Sequence, residues 1–260
     1  MSVRAARALV VVALLLAAGA GWAQAASLAN VRERGTFNIC AHPDALPYSS
    51  QDRTTPGFQL EIAEAIAKQL GVGMRVDWIV FTRHARRLDC DASIGTIVKA
   101  DDGGPRRGPR LTKPYVSSGY VLVLPAASPT IARLEDVKGK IAVEHTSWPH
   151  YVLDMRKVPV ASYGSSFEVL DALAKGEEVA GLVSDTYVGW YLKLHPGSVK
   201  ISQAYVPERD FRWNVAVGLR NADPPLVDAV NRAIEVLIAD QTIPKIFARY
   251  GIAYRPPVAP

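Results

Sequence analysis

The sequence predicts an α/β fold in two lobes, and three observations carry that expectation. Short apolar stretches with strand periodicity alternate with amphipathic helical stretches along most of the chain. The strand–loop–helix order begins twice, once near Thr36 and again near Ile141. Two further apolar stretches, Gly119–Leu124 and Trp213–Leu219, stand where the chain would pass from one such unit to the other and back. Each lobe is then a mostly parallel sheet flanked by helices, and two crossings leave a cleft able to close on a ligand.

The elements follow in order. Ser27 to Gly35 reads as a short helix, with Leu28 and Val31 inward and Gly35 as its stop. Phe37, Ile39 and Ala41 alternate as a first strand, and the loop His42–Thr55 follows it. The helix after that loop sets Phe58, Ile62, Ile66 and Leu70 at steps of four on one face, pairs Glu64 with Lys68 on the other, and stops at Gly71. Met74–Phe81 alternates as a second strand, Thr82–Leu88 is basic, and Asp91–Ile97 reads as a third strand before the Gly-, Pro- and charge-rich KADDGGPRRGP.

After the crossing at SGYVLVLP, Ile141–Glu144 is a strand, and HTSWPH follows at its end, where the strand–loop–helix order starts again. Ser165 and Glu168 have capping-box spacing for a helix ending at Gly176. The strand Val179–Ser184 ends at Asp185, and a helix carrying Val188, Tyr191 and Leu192 runs to Pro196-Gly197. Arg212–Leu219 is the returning strand. Asp223 then caps a helix whose first position suits Pro224, with Leu226, Val230, Ala233 and Leu237 inward, and Thr242 caps a last short one. The expected division is a first lobe from 26–124 and 208–253, a second lobe from 125–207, and a flexible tail at 254–260.

Residues 1–25 read as a secretory signal peptide: Arg4 and Arg7 precede the apolar run Ala8–Ala18, and Ala23-Gln24-Ala25 offers a small-x-small cleavage site. The expected location is the periplasm, with no membrane span after cleavage. Loss of two arginines lowers the net charge from +5 to +3, too little to suggest a nucleic-acid partner. In an oxidising compartment the two cysteines, Cys40 and Cys90, favour a disulfide across a loop of ~50 residues. Two buried free thiols are the alternative, and metal ligation lacks a CxxC or HxxxH partner.

Six stretches in order, VRERGTFNICAHPDALPYS, GFQLEIAEAIAKQLG, LTKPYVSSGYVLVLP, LEDVKGKIAV, FEVLDALAKGEEVAGLVSDT and ADPPLVDAVNRAIEVLIADQTIPKIFARYG, resemble the periplasmic solute-binding proteins of family 3. That resemblance covers nearly all of the chain after the signal. It implies the type II periplasmic-binding-protein clamshell, no cofactor, and reception of small polar solutes for an ABC permease. More narrowly, ICAHPDALPYSS, DCDASIGTIV and LTKPYVSSGYVLVLP are similar to the binding-protein-like accessory components of quinoprotein (PQQ) methanol dehydrogenases, the MxaJ and XoxJ type. This implies a periplasmic quinoprotein dehydrogenase as partner, with a role in its maturation.

The family's carboxylate-gripping arginine motif is not matched by KADDGGPRRGPRLTKPY, where Arg106 or Arg107 falls near the place. The family's small anion-binding turn is replaced by HTSWPH, placing Ser147 and the bulky Trp148 there. Asp185 in VSDT matches the amine-binding aspartate; read from spacing alone it is equally a helix N-cap. Tyr48 can stack on a ligand or simply pack its loop. The expected cleft residues are therefore Tyr48, Arg106, Arg107, Ser147, Trp148 and Asp185. No nucleophile elbow, Ser/His/Asp array or metal triad is present, so no catalytic or metal residues are assigned. The expected role is non-enzymatic: dehydrogenase accessory first, importer receptor for an amino acid or other small solute as the alternative, with a solute or peptide in the cleft.

Overall fold

A computed structural model of the chain describes residues 26–80, 88–98 and 109–258. Residues 1–25, expected as a signal peptide, and all of the basic stretch Thr82–Leu88 except Leu88 lie outside the described residues, as do Arg106 and Arg107.

Helix α1 (Leu28–Arg34) is capped by Ser27, whose Oγ accepts from the Asn30 amide, and stopped by Gly35. Strand β1 (Thr36–Ala41) leads through a small hairpin, β2 (Asp44–Ala45) and β3 (Ser49–Ser50), into helix α2 (Phe58–Leu70). The face predicted from the step-of-four pattern is the buried one, with Phe58, Ile62, Ile66 and Leu70 in the core. Strands β4 (Gly73–Trp78) and β5 (Ala92–Val98) pair parallel with β1 on either side. The short β6 (Arg110–Leu111) precedes β7 (Val116–Pro125).

Strand β7 divides the molecule. Its first residues, Val116–Gly119, pair antiparallel with β12 (Arg212–Leu219), which also pairs with β5. From Tyr120 to Val123 it pairs antiparallel with β10 (Gly181–Ser184). Beyond β10 run β8 (Ile141–Glu144) and β9 (Val160–Tyr163), both parallel. β11 (Val199–Ile201) pairs with the end of β7. Hydrogen bonding is thus continuous along one path of strands, yet the partners of β7 change between Gly119 and Tyr120 and each half has its own core. Ten residues at about 3.3 Å each let β7 reach through both bodies.

The first body packs α2, α6 (Pro224–Ala239) and α7 (Thr242–Arg249) around Phe37, Ile62, Ile66, Val217 and Phe247. In the second, alternation along β7 sends Leu122 and Leu124 to one face and Val121 and Val123 to the other. The first face is covered by α3 (Trp148–Met155), the second by α4 (Ser166–Lys175) and α5 (Asp185–Leu194). These are the two lobes of a type II periplasmic-binding-protein fold, each sheet mixed because the crossing strand runs antiparallel to its neighbours.

Four details differ from expectation. HTSWPH begins a helix that was not expected: Ser147 caps α3, its Oγ accepting from the His150 amide, and Pro149 fits the first turn, where its missing N–H costs nothing. The N-cap of α7 is Gln241 rather than Thr242, whose amide is taken by Asp240. Five short strands, β2, β3, β6, β9 and β11, are not among those expected; all but the four-residue β9 are two or three residues long, too brief to carry a period. The end of the chain, expected as a loose tail from 254, is hydrogen-bonded as far as Val258 to residues of both crossing strands.

Cys40 and Cys90 form a disulfide with 5.5 Å between their Cα atoms. It sits beside Ile39–Ala92, the β1–β5 register pair, and fixes β5 to the first strand.

Candidate functional site

Where the two lobes meet at β7 and β12 there is a cavity of about 310 Å³. That is near the lower end of ligand-sized pockets, roughly 300–1,000 Å³. Its walls are mainly aromatic and aliphatic: Tyr48, Phe58, Tyr115, Trp213 and Phe247 from the first lobe and the crossings. Polar groups enter from Gln59, Ser117, Ser118, Thr186 and Asp185.

Asp185 occupies the carboxyl end of β10, as the first residue of α5. Ser184, not Asp185, is the N-cap, so the aspartate side chain is free to turn inward. Oδ1 accepts from Ser118 Oγ at 2.6 Å, and Oδ2 from Arg255 Nη1 at 2.8 Å. The backbone amides of Gly119 and Thr186 also donate to it. Its side chain is 8% exposed. Burial is the largest influence and raises its pKa above the usual carboxylate value, against the lowering pull of Ser118, Arg255 and the two amides. Among the described lining residues Asp185 is the one carboxylate.

Tyr48 reaches across from the first lobe. Its hydroxyl bonds Thr186 Oγ1 on α5, and its ring lies 5.2 Å from Phe58 and 5.4 Å from Tyr187. Burial raises the Tyr48 pKa, so the phenol stays protonated and able to donate. The loop that aims it passes through a cis Leu46–Pro47 bond and packs on Gly57. At Gly57, φ is +95° and an added Cβ would stand 2.4 Å from the Tyr48 carbonyl oxygen. Replacing Gly57 with alanine is expected to cost about 1–3 kcal/mol in urea unfolding. A loss below about 0.5 kcal/mol, the range of neutral surface changes, would show that the loop is not held by this contact.

Of the residues expected in the cleft, Tyr48 and Asp185 line the cavity together. Ser147 and Trp148 stand at the start of α3 on the second lobe and are not among its lining residues. Trp148 Nε1 donates to the Asp210 carbonyl at 2.9 Å and its ring lies 5.5 Å from Tyr151. Arg106 and Arg107 lie outside the described residues. Glu61 is engaged at the end of α7, where Tyr250 and Arg249 both bond it. Sequence reasoning missed Ser118, Trp213 and Arg255. The first two follow from the crossing strands, whose inward residues border the cleft; nothing in YRPP points to Arg255.

A profile of bacterial extracellular solute-binding proteins, family 3, matches residues 37–253. The chain is 25% identical to ABC transporter arginine-binding protein 1 of Escherichia coli K12, over 84% of this chain and 90% of that one. It is 26% identical to the L-cystine-binding protein TcyJ of the same organism, over 90% of each. Among solved structures, the L-cystine solute receptor of Neisseria gonorrhoeae, unliganded and open, superposes with a TM-score of 0.73 at 20% identity. That match covers 89% of this chain and 99% of the receptor, and shows the shared fold.

Proposed function

The chain belongs to the bacterial extracellular solute-binding proteins of family 3, and from that premise we propose that it is a periplasmic, non-enzymatic receptor of an ABC importer. Its solute is a small molecule with an amino or guanidino group, held in the interlobe cavity. The observation that carries this reading is the buried Asp185 carboxylate, the one charged group among the described residues lining a mainly aromatic and aliphatic cavity. A buried carboxylate selects a cation, and aromatic faces favour one packed beside them. The relatives named as arginine- and cystine-binding proteins support the solute class. Tyr48 and Thr186 join the lobes over the same space, as a clamshell closing on its ligand requires.

The test is a thermal-shift and calorimetric screen of the mature protein against single amino acids, beginning with L-arginine and L-cystine. A ligand at a hundred times its Kd is expected to stabilise the native state by about 2.7 kcal/mol. No shift with any amine-bearing solute would remove the receptor reading.

A second reading keeps the quinoprotein dehydrogenase as partner. It is favoured by the placement of the ICAHPDALPYSS loop: His42, Asp44, Ala45 and Leu46 line a separate open groove of about 370 Å³ against Ser165, Phe167 and Tyr187 of the second lobe. A deletion strain with undiminished methanol dehydrogenase activity and cofactor occupancy would remove this reading.

A further inference from the structure

The last described residues, up to Val258, lie along the cleft. Ile252 and Ala253 form part of the cavity wall. Tyr254 donates its hydroxyl proton to the Tyr115 carbonyl at 3.0 Å, and the Ser117 amide donates to the Arg255 carbonyl at 2.9 Å. Val258 exchanges two hydrogen bonds with the Asn214 side chain, at 2.8 and 2.9 Å. The segment is thus bonded to β7 and β12 in turn, the two strands that form the floor of the cleft. Between these anchors Arg255 sends its guanidinium to Asp185.

We propose that residues 253–258 are a built-in occupant of the cleft, with Arg255 standing on Asp185 where the cation of a ligand would stand. The consequence for ligands rests on the receptor reading: an amine or guanidinium reaches Asp185 only by displacing the protein's own arginine.

Three features fit a strap that can leave and return. The segment begins beyond Ile252, whose amide closes the end of α7 on the Phe247 carbonyl and whose side chain is buried in the first core, so releasing it unwinds no helix. Pro256 and Pro257 hold the backbone extended in advance, which lowers the entropy lost on docking. Arg255 is 43% exposed whereas Asp185 is 8% exposed, so the arginine can be rehydrated on release while the aspartate needs a replacement cation. The strap is guided at its base by a close contact. Gly251, at φ +72°, lies against Gly189 of α5, where a Cβ would stand 2.5 Å from the Gly189 carbonyl oxygen.

A strap that occupies the site most of the time reduces apparent affinity by the fraction of molecules in which the site is free. Arg255→Gln and Arg255→Lys in the full mature chain test this with two readouts. Hydrogen exchange at the Ser117 and Val258 amides reports whether the strap is seated. Calorimetry with L-arginine, L-lysine and L-cystine reports access to Asp185. Arg255→Gln is expected to speed exchange at both amides tenfold or more and to tighten at least one probe tenfold or more, with Arg255→Lys nearer wild type in both. Unchanged exchange in Arg255→Gln would overturn the strap whatever binds. Faster exchange with a probe bound equally by wild type and variant would overturn the competition. Faster exchange with no probe bound by either protein would support the strap and count against the receptor reading instead.

Discussion

Asp185→Asn is expected to weaken binding of any amine-bearing solute by about thirtyfold or more, because removing one member of a buried charge pair costs about 2–5 kcal/mol. The variant keeps the side-chain volume and the bond to Ser118, so the loss reports the charge rather than a hole. Both Asp185→Asn and Arg255→Gln break the same ion pair, but they move ligand affinity in opposite directions. A role confined to folding would move them together. Equal affinity of wild type and Asp185→Asn would sink the assignment of this carboxylate as the cation anchor.

The same residue has a signature in the pH dependence of stability. Burial raises the Asp185 pKa above its ordinary 3.8. A carboxyl raised in the folded state holds its proton more readily there than when unfolded. Its contribution to stability is therefore complete below 3.8 and is lost as pH rises through the raised value. Asparagine has no such dependence. Urea midpoints of Asp185→Asn relative to wild type are expected to improve as pH rises from the ordinary carboxylate range toward neutrality. A flat difference across that window would mean that Arg255, Ser118 and the backbone amides fully offset the burial.

Removing the Cys40–Cys90 disulfide is expected to lower stability by about 4 kcal/mol, the chain-entropy value for a 50-residue loop. Against a total of about 5–15 kcal/mol for a folded domain, that is a large share. For a body of this size it corresponds to a fall in Tm of about 10 °C. The bond fastens Cys90, just before β5, to β1, next to the Ile39–Ala92 pairing, so its loss frees the segment that leads into the cavity wall at Gly95 and Ile97. Cys40→Ser with Cys90→Ser, compared with wild type by urea unfolding and differential scanning calorimetry, checks this. Equal midpoints, or no response of wild type to dithiothreitol, would show that the bond contributes nothing under those conditions.

Much of the fold was legible because the pattern repeats over long elements. Phe58, Ile62, Ile66 and Leu70 fix the buried face of α2, and Leu226, Val230, Ala233 and Leu237 that of α6. Strands Ile141–Glu144 and Arg212–Leu219 have the bounds read from their residues. The eight-residue α3 was not legible, since HTSWPH resembles a turn until Ser147 is seen to cap it. Of the site, Asp185 and Tyr48 could be named because a strand end and a loop after a strand are where ligands sit in α/β folds. Trp148 could not be placed: its indole is drawn to the Asp210 carbonyl by the fold of the second lobe.

The sequence by itself determined two α/β bodies, the strands that cross between them, the cysteine pair and the aspartate at the end of β10. These follow from local periodicity, capping and chain order, which act over a few residues at a time. Only the tertiary structure decided what Asp185 faces. Its partners Ser118 and Arg255 are 67 and 70 residues away along the chain. No local rule joins a carboxylate in one lobe to an arginine beyond the last helix of the other. That contact exists because desolvating the carboxylate requires a cation, and the packing of the two lobes brings Arg255 to it.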